Sequence, residues 1–173
     1  INNLAFTLQE QGKLELAIQF YEKVLLLKPD YVEVYNAISE ILKRQGKFIQ
    51  AVNLCKKAIS INPKYANSHY NLGNIFKKIG KFEKSISYLI EAIKIEPNYI
   101  EAYNNLGVVL RDLNKLIESE ESYKQAIKHN PLYAEAHNNL GSTLTRLGKL
   151  DEAEKSYRQA IILKDDYAEA HKN

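Results

Sequence analysis

Three of the four histidines, His69, His137 and His171, fall in one row at intervals of 34 residues. Five asparagines, Asn3, Asn71, Asn105, Asn139 and Asn173, fall in another row that only Ala37 interrupts. A metal site needs ligands that converge within about 2.0–2.3 Å of one ion. Side chains one repeat apart face separate places, so the histidines read as packing residues rather than ligands. His129, just ahead of Asn130-Pro131, fits a helix C-terminus. Cys55 is the single cysteine and has no histidine close in sequence, so a buried thiol is expected rather than a nucleophile. No glycine-rich phosphate loop follows a strand pattern. No catalytic residue, metal or cofactor is expected, and any catalysis would belong to another domain. A carboxamide, by contrast, carries two donors and an acceptor, so it can pair with both the N–H and the C=O of a passing backbone without reading side chains.

The elements that must carry these rows follow from the same period. Tyr31, Tyr65, Tyr99, Tyr133 and Tyr167 repeat at 34 residues without insertion, as do Lys13, Lys47, Lys81, Lys115 and Lys149. Such a period means one helical hairpin stacked on copies of itself, an all-α solenoid of antiparallel helix pairs. In the unit 134–167, Ala134 to Arg146 is a first helix, Gly148-Lys149 the turn and Asp151 to Leu163 a second helix. Gly12, Gly46, Gly80 and Gly148, with Asn114 once, take the turn, where one residue at positive φ ends a helix. Pro29, Pro63, Pro97 and Pro131 stop the second helices, and Asp165 breaks that row, so the last helix can run longer or the array bend there. The small row Ala5, Ser39, Gly73, Gly107, Gly141 faces Ala17, Ala51, Ser85, Ser119, Ala153, which lets the two backbones approach closely. The rows beginning Leu4, Leu8 and Leu14 fill the space around them.

The expected organisation is a partial repeat over 1–31, full repeats over 32–65, 66–99, 100–133 and 134–167, and the start of another over 168–173. Both ends fall inside a repeat, as in a piece of a longer array. Net charge is only +3, yet residues 32–99 carry 11 Lys/Arg against 5 Asp/Glu, a mildly basic middle. No apolar run approaches the ~18 residues of a membrane span. The lone cysteine favours a reducing compartment, the cytoplasm.

Asn139-Leu140-Gly141, Leu144, Ala153, Tyr157 and Ala160 lie at spacings that resemble the tetratricopeptide repeat, and the likeness covers the whole chain. The usual tryptophan is replaced by Ile1, Tyr35, His69, Tyr103, His137 and His171. Val24 stands for alanine, and Cys55 and Leu89 stand for the second-helix aromatic. The resemblance implies a right-handed superhelix whose first helices line a concave groove. Groove residues would then come from the rows starting at Glu33, Asn2, Asn3, Phe6, Gln9 and Glu10. The asparagine row resembles the ladder in the repeat region of O-linked N-acetylglucosamine transferases, which holds extended polypeptide. Neighbouring helices about 8–10 Å apart and a strand advance of about 3.3 Å per residue give one rung per three ligand residues.

Lys43, Arg44, Lys77, Lys78, Arg111 and Arg146 near the ends of first helices, against Glu33, Glu101, Glu135 and Glu169 near their starts, would band the groove with charge. Dipole complementarity accounts for most of them, though not for the doubled pairs 43–44 and 77–78. The carboxylate clamp of some relatives needs cations where this chain has Asn2 and Phe6, Asn36 and Glu40, and Tyr70 and Asn74, so a chaperone-tail receptor is not expected. The expected binding set is therefore Asn3, Asn71, Asn74, Asn105, Asn139 and Asn173 with Lys43, Arg44, Lys77, Lys78 and Arg111. The expected partner is a protein or peptide, not a small molecule or membrane. Two alternatives remain: end-to-end assembly of copies through the seam at Tyr157 and Ile161, and RNA binding. RNA is disfavoured because five of the 12 tyrosines belong to the Pro-x-Tyr row and the groove offers carboxamides rather than stacking rings.

Overall fold

The computed structural model describes the backbone of residues 2–170 and the side-chain surroundings of residues 3–164. Asn173 and His171 lie outside the described residues. Within them the chain forms helices α1 (Asn2–Glu10), α2 (Leu14–Leu27), α3 (Val32–Arg44), α4 (Phe48–Ile61), α5 (Ala66–Lys78), α6 (Phe82–Ile95), α7 (Ile100–Asp112), α8 (Leu116–His129), α9 (Ala134–Arg146) and α10 (Leu150–Ala170), and no strand. Two compact units result, Ile1–Lys81 with α1–α5 and Phe82–Asn173 with α6–α10.

In the first unit α1 packs on α2 and α3 on α4, while α2 also meets α3, α4 meets α5, and α3 touches α5. The second unit repeats the scheme: α7 on α8, α9 on α10, α6 against α7, α8 against α9, and α7 against α9. Within the units α2, α4 and α8 are thus each shared by two first helices, which is how a helix pair too small to bury its own apolar face acquires a core.

The turns are set where the glycine row falls. Gly46 has φ 74°, its N–H reaches Lys43 O at 3.1 Å, and Lys47 N reaches Leu42 O at 2.9 Å, closing the end of α3. Asn114 takes the same left-handed conformation at φ 61°. α2, α4, α6 and α8 each stop two residues before a proline. α10 has Asp165 instead and runs 21 residues against their 14.

The bulky row that replaces tryptophan does more than pack. Tyr35 Oη donates to Pro29 O, and the Nε2 atoms of His69 and His137 lie on Pro63 O and Pro131 O, each at 2.9 Å. A carbonyl only accepts, so both rings carry the proton on Nε2. Each ring pins the proline turn that precedes its helix. Tyr103 differs, stacking on His129 with centroids 5.7 Å apart.

The small rows are as tight as expected. Ser119 Oγ donates to Gly107 O at 2.8 Å across α7–α8, and Ser39 Oγ to Ala51 O at 3.2 Å across α3–α4. The glycines answer a second demand as well. A Cβ at Gly107 would lie 2.7 Å from Tyr123 Cε1, and one at Gly141 would lie 2.8 Å from Tyr157 Cδ1. Where the aromatic becomes Cys55, the partner is Ser39, and Oγ and Sγ sit 2.9 Å apart.

Candidate functional site

On α3 the residues Glu33, Asn36, Ala37, Glu40 and Arg44 stand three and four apart, so they share one stripe. On α5 Asn67, Tyr70, Asn71 and Asn74 do the same. Together with Gln9, Tyr65 and Lys43 the two stripes enclose a cleft of about 430 Å³. On the other flank of α3, Asn3, Phe6 and Thr7 of α1 with Tyr21 line a second cleft of about 360 Å³, and Glu33 and Ala37 line both. The two clefts therefore adjoin across α3, with Asn3 on one side, Asn71 on the other and the short Ala37 side chain between them. Asn3 is exposed, Asn71 half-buried and Asn74 buried.

One of the two positive charges expected at 43–44 is balanced within the chain. Lys43 Nζ lies 2.5 Å from Glu40 Oε2 and Arg44 Nε 3.4 Å from Glu40 Oε1, so one carboxylate serves two cations at the same end of α3. Lys43 keeps only 19% of its side chain exposed, against 56% for Arg44. At the end of α5, Lys77 is half-buried and Lys78 exposed. Glu33, at the opposite end of the α3 stripe, is exposed and makes no hydrogen bond or ion pair with any described residue.

Asn36 was not among the expected binding residues. It is 5% exposed, and its Nδ2 donates to Ser68 Oγ at 2.8 Å, tying α3 to α5. Its Oδ1 is buried and meets no donor, an arrangement that costs free energy unless a further partner arrives.

In the second unit the carboxamides are joined to one another. Asn139 Nδ2 donates to Asn104 Oδ1 at 3.0 Å, and Asn104 Nδ2 donates to Glu135 Oε1 at 2.9 Å. Glu135 also accepts from Tyr133 Oη at 3.3 Å. This chain ties α7 to α9, and Asn104 is only 2% exposed. Asn105 and Asn139 are half-buried. Arg111 is half-buried, and its carbonyl accepts from Arg146 Nη1 at 3.0 Å while Arg146 Nη2 donates to Asn114 Oδ1 at 2.9 Å. Glu135 and Arg146, expected as charged margins of a groove, are thus committed to internal bonds.

Two further groups bear on stability rather than binding. Glu120, 5% exposed on α8, accepts from Lys124 Nζ at 2.6 Å and from Lys149 Nζ at 2.8 Å. Burial pushes its carboxyl up, but the hydrogen bonds from the two lysines outweigh this and hold it below the usual range. Its signal in the sequence is a row that reads Ile18, Val52 and Ile86 and then turns to charge at Glu120 and Glu154. Cys55 is fully buried, and burial pushes its thiol to about 11, as suits a packing residue. Among the described residues no group of three or more His, Cys, Asp or Glu could hold a metal, and no helix is long and apolar enough to cross a membrane.

Models of the tetratricopeptide repeat match residues 1–31, 39–80, 73–112 and 104–168. The chain belongs to the tetratricopeptide-repeat family. Its all-α hairpin fold is shared with solved structures of the same kind. A crystal structure of MamA is 25% identical with a TM-score of 0.82, covering 95% of this chain and 96% of that one. YrrB, a TPR protein with an unusual peptide-binding site, is 24% identical with a TM-score of 0.71, covering 99% and 90%. PilF of Pseudomonas aeruginosa is 18% identical with a TM-score of 0.86, covering 92% and 73%. No curated protein sequence matches the chain. As a tetratricopeptide-repeat protein it is a protein–protein interaction module.

Proposed function

We propose that this protein holds an extended segment of another protein against the stripes of its first helices. The observation that carries the reading is the pair of adjoining clefts on the two flanks of α3, with Asn3 in one and Asn71 in the other. Their carboxamides pair with the N–H and C=O of the bound backbone, and Ala37 between them leaves room rather than a rung. In the second unit Asn105 and Asn139 take the same part. Asn139 does so with its oxygen and one N–H, the other N–H being donated to Asn104. Arg44 and Lys78, more exposed than Lys43, Lys77 and Arg111, add attraction for acidic groups on the segment. The units 32–65, 66–99, 100–133 and 134–167 form one array in this reading, and the buried Cys55 suits a reducing, cytoplasmic setting.

A displayed library of unstructured dodecapeptides, panned on the protein, tests the reading. Peptides enriched on the native protein should lose about tenfold in affinity for the Asn3→Ala/Asn71→Ala variant, from two hydrogen bonds of about 0.5–1 kcal/mol each. Helicity and melting should stay nearly unchanged. Equal binding to the variant removes the asparagines from the account, and no enrichment at all removes the segment-holding role.

A further inference from the structure

The cleft between α3 and α5 carries more than a backbone ladder requires. Asn36 lines it, is 5% exposed, and has a buried Oδ1 that no donor of the chain reaches. Exchanging its oxygen and nitrogen does not cure the deficit, because one of the two atoms must face Ser68 Oγ at 2.8 Å and the other is then left over. One helical turn away, Glu33 lines the same cleft with no ionic or hydrogen-bonding partner among the described residues. At this end of the stripe the chain thus presents acceptors, whereas at the far end Glu40 is already engaged by Lys43 and Arg44. Ala37 leaves the wall short where the neighbouring repeats have asparagine, and Tyr65 and Tyr70 supply aromatic walls. At about 430 Å³ the space is large enough to admit a long side chain.

We propose that this cleft is a side-chain pocket for an arginine of the bound segment, its guanidinium shared between Asn36 Oδ1 and the Glu33 carboxylate against the tyrosine rings. The guanidinium fits for three physical reasons. It has donors only, so it satisfies an orphan acceptor without creating a new one. Its fork serves two acceptors at once. Its plane lies well on an aromatic face, which the compact, strongly hydrated ammonium of lysine does less well. A backbone N–H would satisfy Asn36 as well, but it carries no charge for Glu33. The inference rests on the segment-holding reading above and adds which residue that segment must carry.

Fluorescence anisotropy with two dodecapeptides of glycine, serine and asparagine, one with a central arginine and one with glutamine in its place, tests it. The arginine peptide should bind the native protein about tenfold more tightly. Glu33→Gln, at an exposed position, should reduce that preference about threefold. Asn36→Asp still accepts from the Ser68 hydroxyl and should widen it. Equal binding of both peptides to the native protein overturns the arginine pocket while leaving the segment-holding role intact. Binding of neither overturns both, and a preference that Glu33→Gln leaves untouched overturns the placement of the guanidinium.

Discussion

Replacing Gly107 by alanine should destabilise the protein even though alanine is the better helix former. In an open helix the exchange would gain about 1 kcal/mol. Here the new Cβ would lie 2.7, 2.8 and 2.9 Å from Cε1, Cζ and Cδ1 of Tyr123, nearly 1 Å inside ordinary carbon contact of about 3.5–4.0 Å. Tyr123 has no exposed surface and is enclosed by Leu140, Leu144 and Ala153, so the ring cannot retreat into solvent. Overpacking of this kind costs about 1–3 kcal/mol. Three ring atoms meet the methyl together, which places the cost toward the upper end and leaves a net loss of about 1–2 kcal/mol. In the α1–α2 hairpin Ala5 stands at the position equivalent to Gly107 and Tyr21 at that of Tyr123. There Tyr21 Oη donates to Gln9 Oε1 at 3.3 Å, whereas in the second unit the position of Gln9 holds Arg111 and the buried Tyr123 Oη makes no hydrogen bond with any described residue. Urea unfolding followed by circular dichroism, the chain having no tryptophan, should show the midpoint lowered by about half a molar. In a Tyr123→Cys background, which copies the Ser39–Cys55 pairing, the same alanine should become neutral or stabilising. A Gly107→Ala protein as stable as the native one, or an equal effect in both backgrounds, would refute the reasoning.

Glu120→Gln should cost about 1–2 kcal/mol, because Lys124 and Lys149 lose their carboxylate. The folded carboxyl is held below its usual range, so its contribution is complete above the free value of about 4.3 and disappears as pH falls through the folded value. Melting curves from pH 3 to 7 should show native protein and variant converging at the acid end, and a constant gap would contradict the ion pairs. With its thiol pushed to about 11 and buried, Cys55 should resist iodoacetamide at pH 8 until urea unfolds the chain. Modification of the native protein at the rate of a free thiol would show the site to be open. Asn114→Ala should lose about 1 kcal/mol or more, from a left-handed φ of 61° and the bond from Arg146. Asn114→Gly should recover the backbone part, and equal midpoints for the two variants would contradict this division.

The hairpins were legible because turn glycines, proline stops and small rows repeat at one fixed interval, and each is a local backbone demand. The boundaries of α3 and α9 fall where Tyr31 and Tyr133, Gly46 and Gly148 put them. Side-chain pairing between first helices was less legible. Asn36 and Asn104 stand two repeats apart in one row, yet nothing in that spacing says whether an amide faces solvent or a neighbouring helix. The answer depends on Ser68 and Glu135, which come from a different helix. In the same way Glu40 sits one turn before Lys43 and Arg44, and the pairing that offsets half of their charge turns on rotamers that a periodic pattern does not encode. The histidine row reads as packing by spacing alone, and its bond to the proline carbonyl appears only once the turn is folded.

The most direct test of the account is amide chemical-shift mapping of the isotope-labelled protein with a peptide selected from the displayed library. Perturbations are expected at Asn3, Ala37, Asn71 and their neighbours on α1, α3 and α5. Perturbations confined to α2 and α4, at residues such as Glu22 and Asn53, with the α3 stripe silent, would contradict it.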